Sequence, residues 1–259
     1  MHTTARKWVT LLGIVGGIVY VNLVNIPRLH LVSRSVGDMA NSERTLFFPA
    51  GYAFSIWGLI HLGLLAFAIF QMTVPGKKSD QMRRTGLLIM VNVVLSAIWC
   101  YVYTEGLLVT SFAFIVLQFA ALAIAEARLQ KKTLILSPAE RWFVQVPVSL
   151  NYGWLSVALI ANVAQVLKYS AGWNGSPLSE ITWTVVMIGI ASFIAIAMVL
   201  RRNAWPFALA VAWGIVAIAV RFWGESSLAF TALGCSAAIV VAIAVHLLRH
   251  LPTRSALHG

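Results

Sequence analysis

Apolar residues in this chain do not alternate with polar ones. They run in long blocks broken by short polar punctuation. A helix needs about 20 apolar residues to cross the hydrocarbon core of a bilayer. The blocks predict eight spanning helices, roughly 8–27, 49–72, 85–103, 108–129, 142–168, 183–200, 204–223 and 227–248. The punctuation agrees. Thr104-Glu105-Gly106 is a tight turn between the third and fourth spans. Ser137-Pro138-Ala139-Glu140 offers an N-cap, a proline at the first helical position and an acid in the first turn, so the fifth helix should begin there. Asn174-Gly175-Ser176-Pro177 is a turn before the sixth span, and Arg201-Arg202-Asn203 marks a very short link to the seventh. The expected fold class is all-α: a polytopic transmembrane helix bundle of about eight helices.

Composition changes the picture only by closing other doors. The chain is 60% hydrophobic and 10% charged, with a mean hydropathy of +0.85, which excludes an ordinary soluble domain. The net charge of +11 comes from 19 Lys and Arg against 8 acids. The basic residues sit in short loops, so they read as topology and contact with anionic lipid head groups, not as a nucleic-acid interface. With the N-terminus inside, the inner side holds Arg6, Lys7, Lys77, Lys78, Arg83, Arg84, Arg128, Lys131, Lys132, Arg141, Arg201, Arg202, Arg249 and Arg254. The outer side holds Arg28, Arg34, Arg44, Lys168 and Arg221. This bias predicts an integral membrane protein with both termini cytoplasmic. Arg6-Lys7 precedes the first apolar run as in a signal peptide, but no small-residue cleavage site follows and Asn22 and Asn25 interrupt the run before Pro27. It is expected to remain as the first spanning helix. Cys100 and Cys235 lie within apolar blocks and read as packing residues.

Candidate chemistry lies in the tryptophans. Of the ten, Trp8, Trp142, Trp173, Trp183, Trp205 and Trp223 fall at block ends, where indoles anchor helices at the membrane boundary. Trp57, Trp99, Trp154 and Trp213 fall inside blocks. Trp57 and His61 are four apart and share a helical face. Asn92 and Trp99 are two turns apart on one face, and Trp154, Ala158 and Asn162 climb one face of the fifth span. With Asn22 and Asn25 in the outer half of the first span, these groups reach similar depth beneath the long first loop, residues 28–48. Large flat rings with a few amide and imidazole groups suit a pocket for a flat, greasy ligand. The plain alternative is that each Asn, and His61, only bonds a neighbouring helix.

Other chemistry is poorly represented. No acidic residue lies deep in a span, Glu105 and Glu126 both being near helix ends, which argues against proton-coupled transport. The lysines sit at span ends or in loops, which excludes a Schiff-base pigment. His246 and His250 are spaced i, i+4, but no carboxylate joins them, so no metal site is expected. No catalytic constellation is visible. Arg221 and Glu225 are spaced for an interfacial salt bridge. Gly13-x-x-x-Gly17 in the first span, and Gly234, Ala238 and Ala242 in the eighth, give small-residue ridges suited to close helix packing.

Phe48-Pro49-Ala50-Gly51-Tyr52-Ala53-Phe54-Ser55-Ile56-Trp57 resembles the helix-two signature of the tryptophan-rich sensory protein / translocator protein (TspO/MBR) family, roughly P-P-x-W-V-F-G-P-V-W. Tyr52 stands where the first Trp would be, the second Pro is absent, and the spacing to Trp57 is one residue short. Asn92 with Trp99 resembles the family's helix-three motif at a longer spacing. Trp154, Ala158 and Asn162 match W-x-x-x-A-x-x-x-N of its helix five, with only Pro147 nearby in place of the usual Pro-Tyr. The resemblance covers about residues 8–170. It implies a TspO-like five-helix bundle over 1–170 and an additional three-helix extension over 171–259. It also implies a cavity roofed by the first loop, porphyrin-type tetrapyrroles or sterol-like lipids as ligands, homodimers as a common state, and the inner membrane of a bacterium as the location.

The reading is a membrane receptor or carrier for a flat hydrophobic ligand, a tetrapyrrole, a sterol-like molecule or an isoprenoid lipid. It requires no cofactor, and its partners are membrane lipid and a hydrophobic small molecule, not nucleic acid. The expected ligand-binding residues are Asn22, Asn25, Tyr52, Trp57, His61, Asn92, Trp99, Trp154, Ala158 and Asn162. Arg28 and Arg44 on the first loop would meet a ligand carboxylate. One alternative is a membrane enzyme acting on an isoprenoid or porphyrin with His61 as acid or base. The other is a small-solute transporter, for which no internal repeat or broken helix is visible.

Overall fold

The computed structural model describes residues 3–26, 29, 31–42, 44–73, 78–130 and 136–249, and among these every regular element is helical. In chain order they are α1 (Thr3–Val24), α2 (Val36–Ser42), α3 (Ile56–Thr73), α4 (Lys78–Thr104), α5 (Leu108–Leu129), α6 (Pro138–Ser170), α7 (Glu180–Arg202), α8 (Trp205–Arg221) and α9 (Ser226–Arg249). A short 3₁₀ turn, Gly51–Ser55, leads into α3. All eight predicted spans are helices. Seven are long and apolar enough to cross a membrane; α8, at 17 residues, is shorter, about 26 Å at the usual rise. It is apolar nearly all round because the bundle buries it nearly all round.

Local chemistry sets the ends. Ser137 Oγ accepts from the Glu140 amide while Glu140 Oε2 accepts from the Ser137 amide, so α6 begins with the expected capping box. Ser179 caps α7 through the Thr182 amide. Asn203 ends α7 in the left-handed region, φ 52°. Its side chain then meets His246 Nε2 at 2.9 Å, so His246 ties α9 to the α7–α8 link. His250 lies outside the described residues, as do Pro27 and Arg28, and no cluster of metal-binding side chains occurs among those described.

Two apolar cores share α6. One gathers residues of α1 to α6 with Ala210 and Ala217 of α8; the other gathers residues of α6, α7, α8 and α9 with Ala40, Phe47 and Phe48 of the first loop. Small residues permit the closest crossings. A Cβ on Gly13 would lie 2.6 Å from Met90 Cγ, and one on Gly17 2.5 Å from Val93 Cγ1, so the first ridge packs α1 on α4. A Cβ on Gly153 would lie 2.2 Å from the Phe207 carbonyl oxygen, which brings α6 and α8 backbone to backbone. The second expected ridge behaves otherwise: Gly234 and Ala238 are exposed, and nothing approaches Gly234 within 4 Å. That face of α9 looks outward.

The first loop is built, not slack. It contains α2, where the apolar blocks predict only loop. Asn25 Oδ1 accepts from the Val36 amide. Glu105 accepts from the amide and hydroxyl of Ser33, at 3.0 and 2.9 Å. From the other core, Glu180 Oε1 accepts from the Leu46 amide at 2.7 Å. Lys168 Nζ and Tyr169 Oη donate to the Arg44 carbonyl, and Arg221 donates to the Pro49 carbonyl. Arg221 therefore does not pair with Glu225 as its spacing suggested. Its guanidinium is spent on the loop carbonyls, which end too close to α8 to be left without a donor.

Candidate functional site: an aromatic chamber beneath the first loop

Helix α4 carries Trp99 and Tyr103, one turn apart, with rings stacked at 4.8 Å and 12°. Trp57 of α3 meets Trp99 edge-on at 6.2 Å. Phe54, on the 3₁₀ turn, meets Trp57 at 5.5 Å and Trp154 of α6 at 5.8 Å, both edge-on. Five rings from three helices and the turn thus form one continuous string. Edge-to-face contacts at these distances are favourable geometry for aromatic quadrupoles.

The string borders a cavity of about 30 Å³. Its roof is Val36, Phe48 and Pro49. Its walls are Phe54, Trp99, Tyr103, Trp154, Val157, Ala158, Ala161, Asn162 and Gln165. Two of the lining residues hold polar atoms that have no hydrogen-bond partner among the described residues: the indole nitrogen of Trp99 and Oδ1 of Asn162. Asn162 is 2% exposed, and its Nδ2 reaches only Ser111 Oγ, at 3.4 Å. Buried donors and acceptors without partners are uncommon, and cluster where a ligand or water completes them. Gln165 and Tyr103 close the wall with a mutual contact of 2.9 Å.

The expected residues divide. Trp99, Trp154, Ala158 and Asn162 line the cavity. Trp57 stands one ring behind, against Trp99 and Phe54. His61 stacks on Trp57, its Nδ1 lies 3.2 Å from Asn22 Nδ2, and it does not line the cavity. Asn25 serves the loop and Cys100. Asn92 is deeper in the core: it accepts from Asn151 Nδ2 at 3.0 Å. Tyr52 is exposed and packs edge-on against Trp213 of α8. Arg44 is exposed, and its Nε turns back to the Asn41 carbonyl.

Sequence reasoning missed Phe48, Pro49, Phe54, Tyr103 and Gln165 as lining residues. The signal was present for two of them: Tyr103 is four residues from Trp99 and Gln165 three from Asn162, so each shares its neighbour's helical face. Glu126 was also underestimated. It lies near the end of α5 yet is 2% exposed, accepting from Ser149 Oγ and Gln130 Nε2 while its Oε2 has no partner.

At the roof, two carboxyls hold loop turns. Hydrogen bonds from Ser35 hold Asp38 below the usual carboxylate range. Those from the backbone and side chain of Ser33 do the same for Glu105.

The helix order, the roofed chamber and the Trp-x-x-x-Ala-x-x-x-Asn face of α6 converge with a family comparison, in which a model described as TSPO-like protein matches residues 7–245. The chain belongs to the TSPO-like family. The match runs beyond residue 170 and through α7 and α8 into α9, so the TSPO-like model embraces the second core as well as the first. No curated protein and no solved structure matches the chain. With its apolar helices and its TSPO-like membership, this is an integral membrane protein rich in aromatic contacts.

Proposed function

We propose that the protein binds a flat hydrophobic ligand, a tetrapyrrole, sterol-like molecule or isoprenoid lipid, between the α4 and α6 walls of the chamber. The observation that carries this reading is the pairing of two indole walls, Trp99 and Trp154, with two unsatisfied polar atoms, Trp99 Nε1 and Asn162 Oδ1, at one cavity. A donor and an acceptor on apolar walls orient a ring that bears a few polar groups.

A volume of about 30 Å³ holds roughly one water, whereas ligand pockets measure about 300–1,000 Å³. In this reading the site is closed in the absence of ligand. Opening requires the Phe48–Phe54 segment, which is roof and wall at once, to move away from Trp154. The loop's anchors, Glu105 and Asn25 on one side and Glu180, Lys168 and Arg221 on the other, set the cost of that motion. In this reading the termini are cytoplasmic, the chamber faces the outer leaflet of a bacterial inner membrane, and the protein works with lipid and ligand, as a homodimer in the manner its resemblance implies.

The test is a titration of the purified protein with protoporphyrin, followed by quenching of tryptophan fluorescence. The reading expects saturable quenching that weakens by about tenfold or more when Trp99, Trp154 and Asn162 are replaced together by Phe, Phe and Leu, in line with the loss of stacking area and two directional contacts. Unchanged affinity in that variant would remove the chamber as the binding site.

A further inference from the structure

At the roofed end, two guanidinium groups converge without an acid between them. Arg221, the last residue of α8, is half-buried. Its Nη1 donates to the Pro49 carbonyl at 3.1 Å, and Nη2 is directed at the Ala40 carbonyl at 3.5 Å and Asn41 Oδ1 at 3.4 Å, both long contacts. Its charge lies over the rings of Phe48 and Phe222, at 5.5 and 5.9 Å. Among the described residues Arg44 bonds through Nε alone, to the Asn41 carbonyl at 2.9 Å. Both arginines thus gather at Asn41, one on its carbonyl and one on its Oδ1. Among the described residues the nearby acid is spoken for: Glu180 holds Lys168 at 2.8 Å and the Leu46 amide. Glu225, one turn beyond Arg221, forms no ion pair with a described residue.

Two like charges held together by neutral partners are stabilised when an anion sits between them, and the planar fork of arginine matches the oxygens of a phosphate. Depth decides which phosphate. Trp223, two residues past Arg221, is 65% exposed, and Trp173 packs on Trp183 at the same end of the bundle. Exposed indoles at helix ends mark the head-group level of a membrane, where lipid phosphates lie. We propose that Arg221 and Arg44, around Asn41, bind the phosphate of an anionic phospholipid at the roofed face of the protein, so that the head group bridges α8 and the first loop.

The test uses the full chain, delipidated in a maltoside detergent, and isothermal titration calorimetry with three probes: dihexanoyl-phosphatidylglycerol, dihexanoylglycerol and inorganic phosphate. The phosphatidylglycerol should bind, the dihexanoylglycerol should not, and inorganic phosphate should bind more weakly. Arg44→Gln, an exposed change that removes no core contact, should weaken phosphatidylglycerol by about tenfold, the worth of one charge-assisted hydrogen bond. Arg44→Gln with Arg221→Gln should abolish binding, and Arg221→Lys should restore part of it. Equal binding of phosphatidylglycerol to the wild type and Arg44→Gln overturns the site, as does tight binding of dihexanoylglycerol. Inorganic phosphate binding as tightly as phosphatidylglycerol overturns the lipid assignment in favour of a free-phosphate site.

Discussion

The indole nitrogen of Trp213 lies 3.0 Å from the carbonyl oxygen of Ala53, across 160 residues of sequence. Its ring also meets Tyr52 edge-on at 5.4 Å, and the Ala50 amide donates to the Ala217 carbonyl on the same helix. Helix α8 therefore holds the 3₁₀ turn that carries Phe54, the ring that walls the chamber against Trp154. The second core supports the site from behind. Trp213→Phe keeps the ring and removes the donor. It should cost about 0.6–1 kcal/mol and lower the melting temperature by about 2–4 °C, read from a thermal melt in detergent. A variant that melts like the wild type would mean that packing alone holds the turn.

Glu180 joins two loop anchors in one carboxylate, the Leu46 amide at Oε1 and Lys168 at Oε2. Glu180→Ala should release the second half of the loop without touching the chamber walls. Amide exchange over residues 44–50 should accelerate by about tenfold while the rates in α4 and α6 stay fixed, because loop openings are local events of low free energy. Porphyrin association should quicken in step. Unchanged exchange in the loop would show that Arg221 and the Asn25–Val36 contact suffice to close it.

Gly153 faces a rigid neighbour. The Phe207 carbonyl oxygen sits 2.2 Å from where a Cβ would be, and backbone cannot swing aside as a side-chain end can. Gly153→Ala should separate α6 from α8 and destabilise by about 1–3 kcal/mol or more, the range for overpacked cores. Gly189→Ala, on α7 where nothing lies within 4 Å, should be neutral or slightly stabilising through helix propensity. Comparable melting temperatures for the two variants would contradict the close crossing.

Acid should loosen the first half of the loop. Glu105 and Asp38 are both depressed in the fold, from ordinary values of 4.5 and 3.8. A carboxyl depressed in the folded state contributes stability that is complete above its unfolded value and is lost as pH falls through the lower folded value. The difference in melting temperature between wild type and Glu105→Gln should therefore be constant from neutral pH down to about 4.5 and close below it. A difference that persists undiminished at pH 3 would mean that the Ser33 bonds owe nothing to the charge.

Much of the scaffold was legible because membrane helices announce themselves by length. The capping box at Ser137 and Glu140 and the Gly13–Gly17 contact with α4 were local patterns with local causes. What stayed hidden was decided at a distance. Nothing near Gly153 in sequence signals Phe207, and nothing in Glu180 signals Leu46. Helix α2 is hard to read in sequence because its one apolar set, Val36, Met39 and Ala40 at i, i+3, i+4, spans barely a turn among Gly37, Asp38, Asn41 and Ser42. His61 was grouped with the chamber on spacing from Trp57, and spacing does place it on the same face. But it does not line the cavity; its contacts are the ring of Trp57 and Asn22. Depth matching along single helices finds a layer of the bundle; it does not tell which side of a ring a neighbour occupies.

Asn162 offers the sharpest separation of stability from function. It is 2% exposed, its amide donates across 3.4 Å to Ser111, and its oxygen has no partner among the described residues. A side chain retained only for stability would not leave an acceptor unsatisfied in an apolar wall, since that group carries a desolvation cost of about 1–3 kcal/mol. Asn162→Leu, similar in shape and without polar atoms, should leave the melting temperature unchanged or raise it by a few degrees, about what removing such a cost returns. The same substitution should weaken porphyrin binding by about tenfold, one directional hydrogen bond. Asn162→Asp serves as the counterpart, placing an acid in the wall and lowering both stability and affinity. The telling result is the sign for leucine. If it destabilises the protein and leaves porphyrin affinity intact, Asn162 is a helix-bridging residue of the bundle, and the polar half of the proposed site must be sought elsewhere.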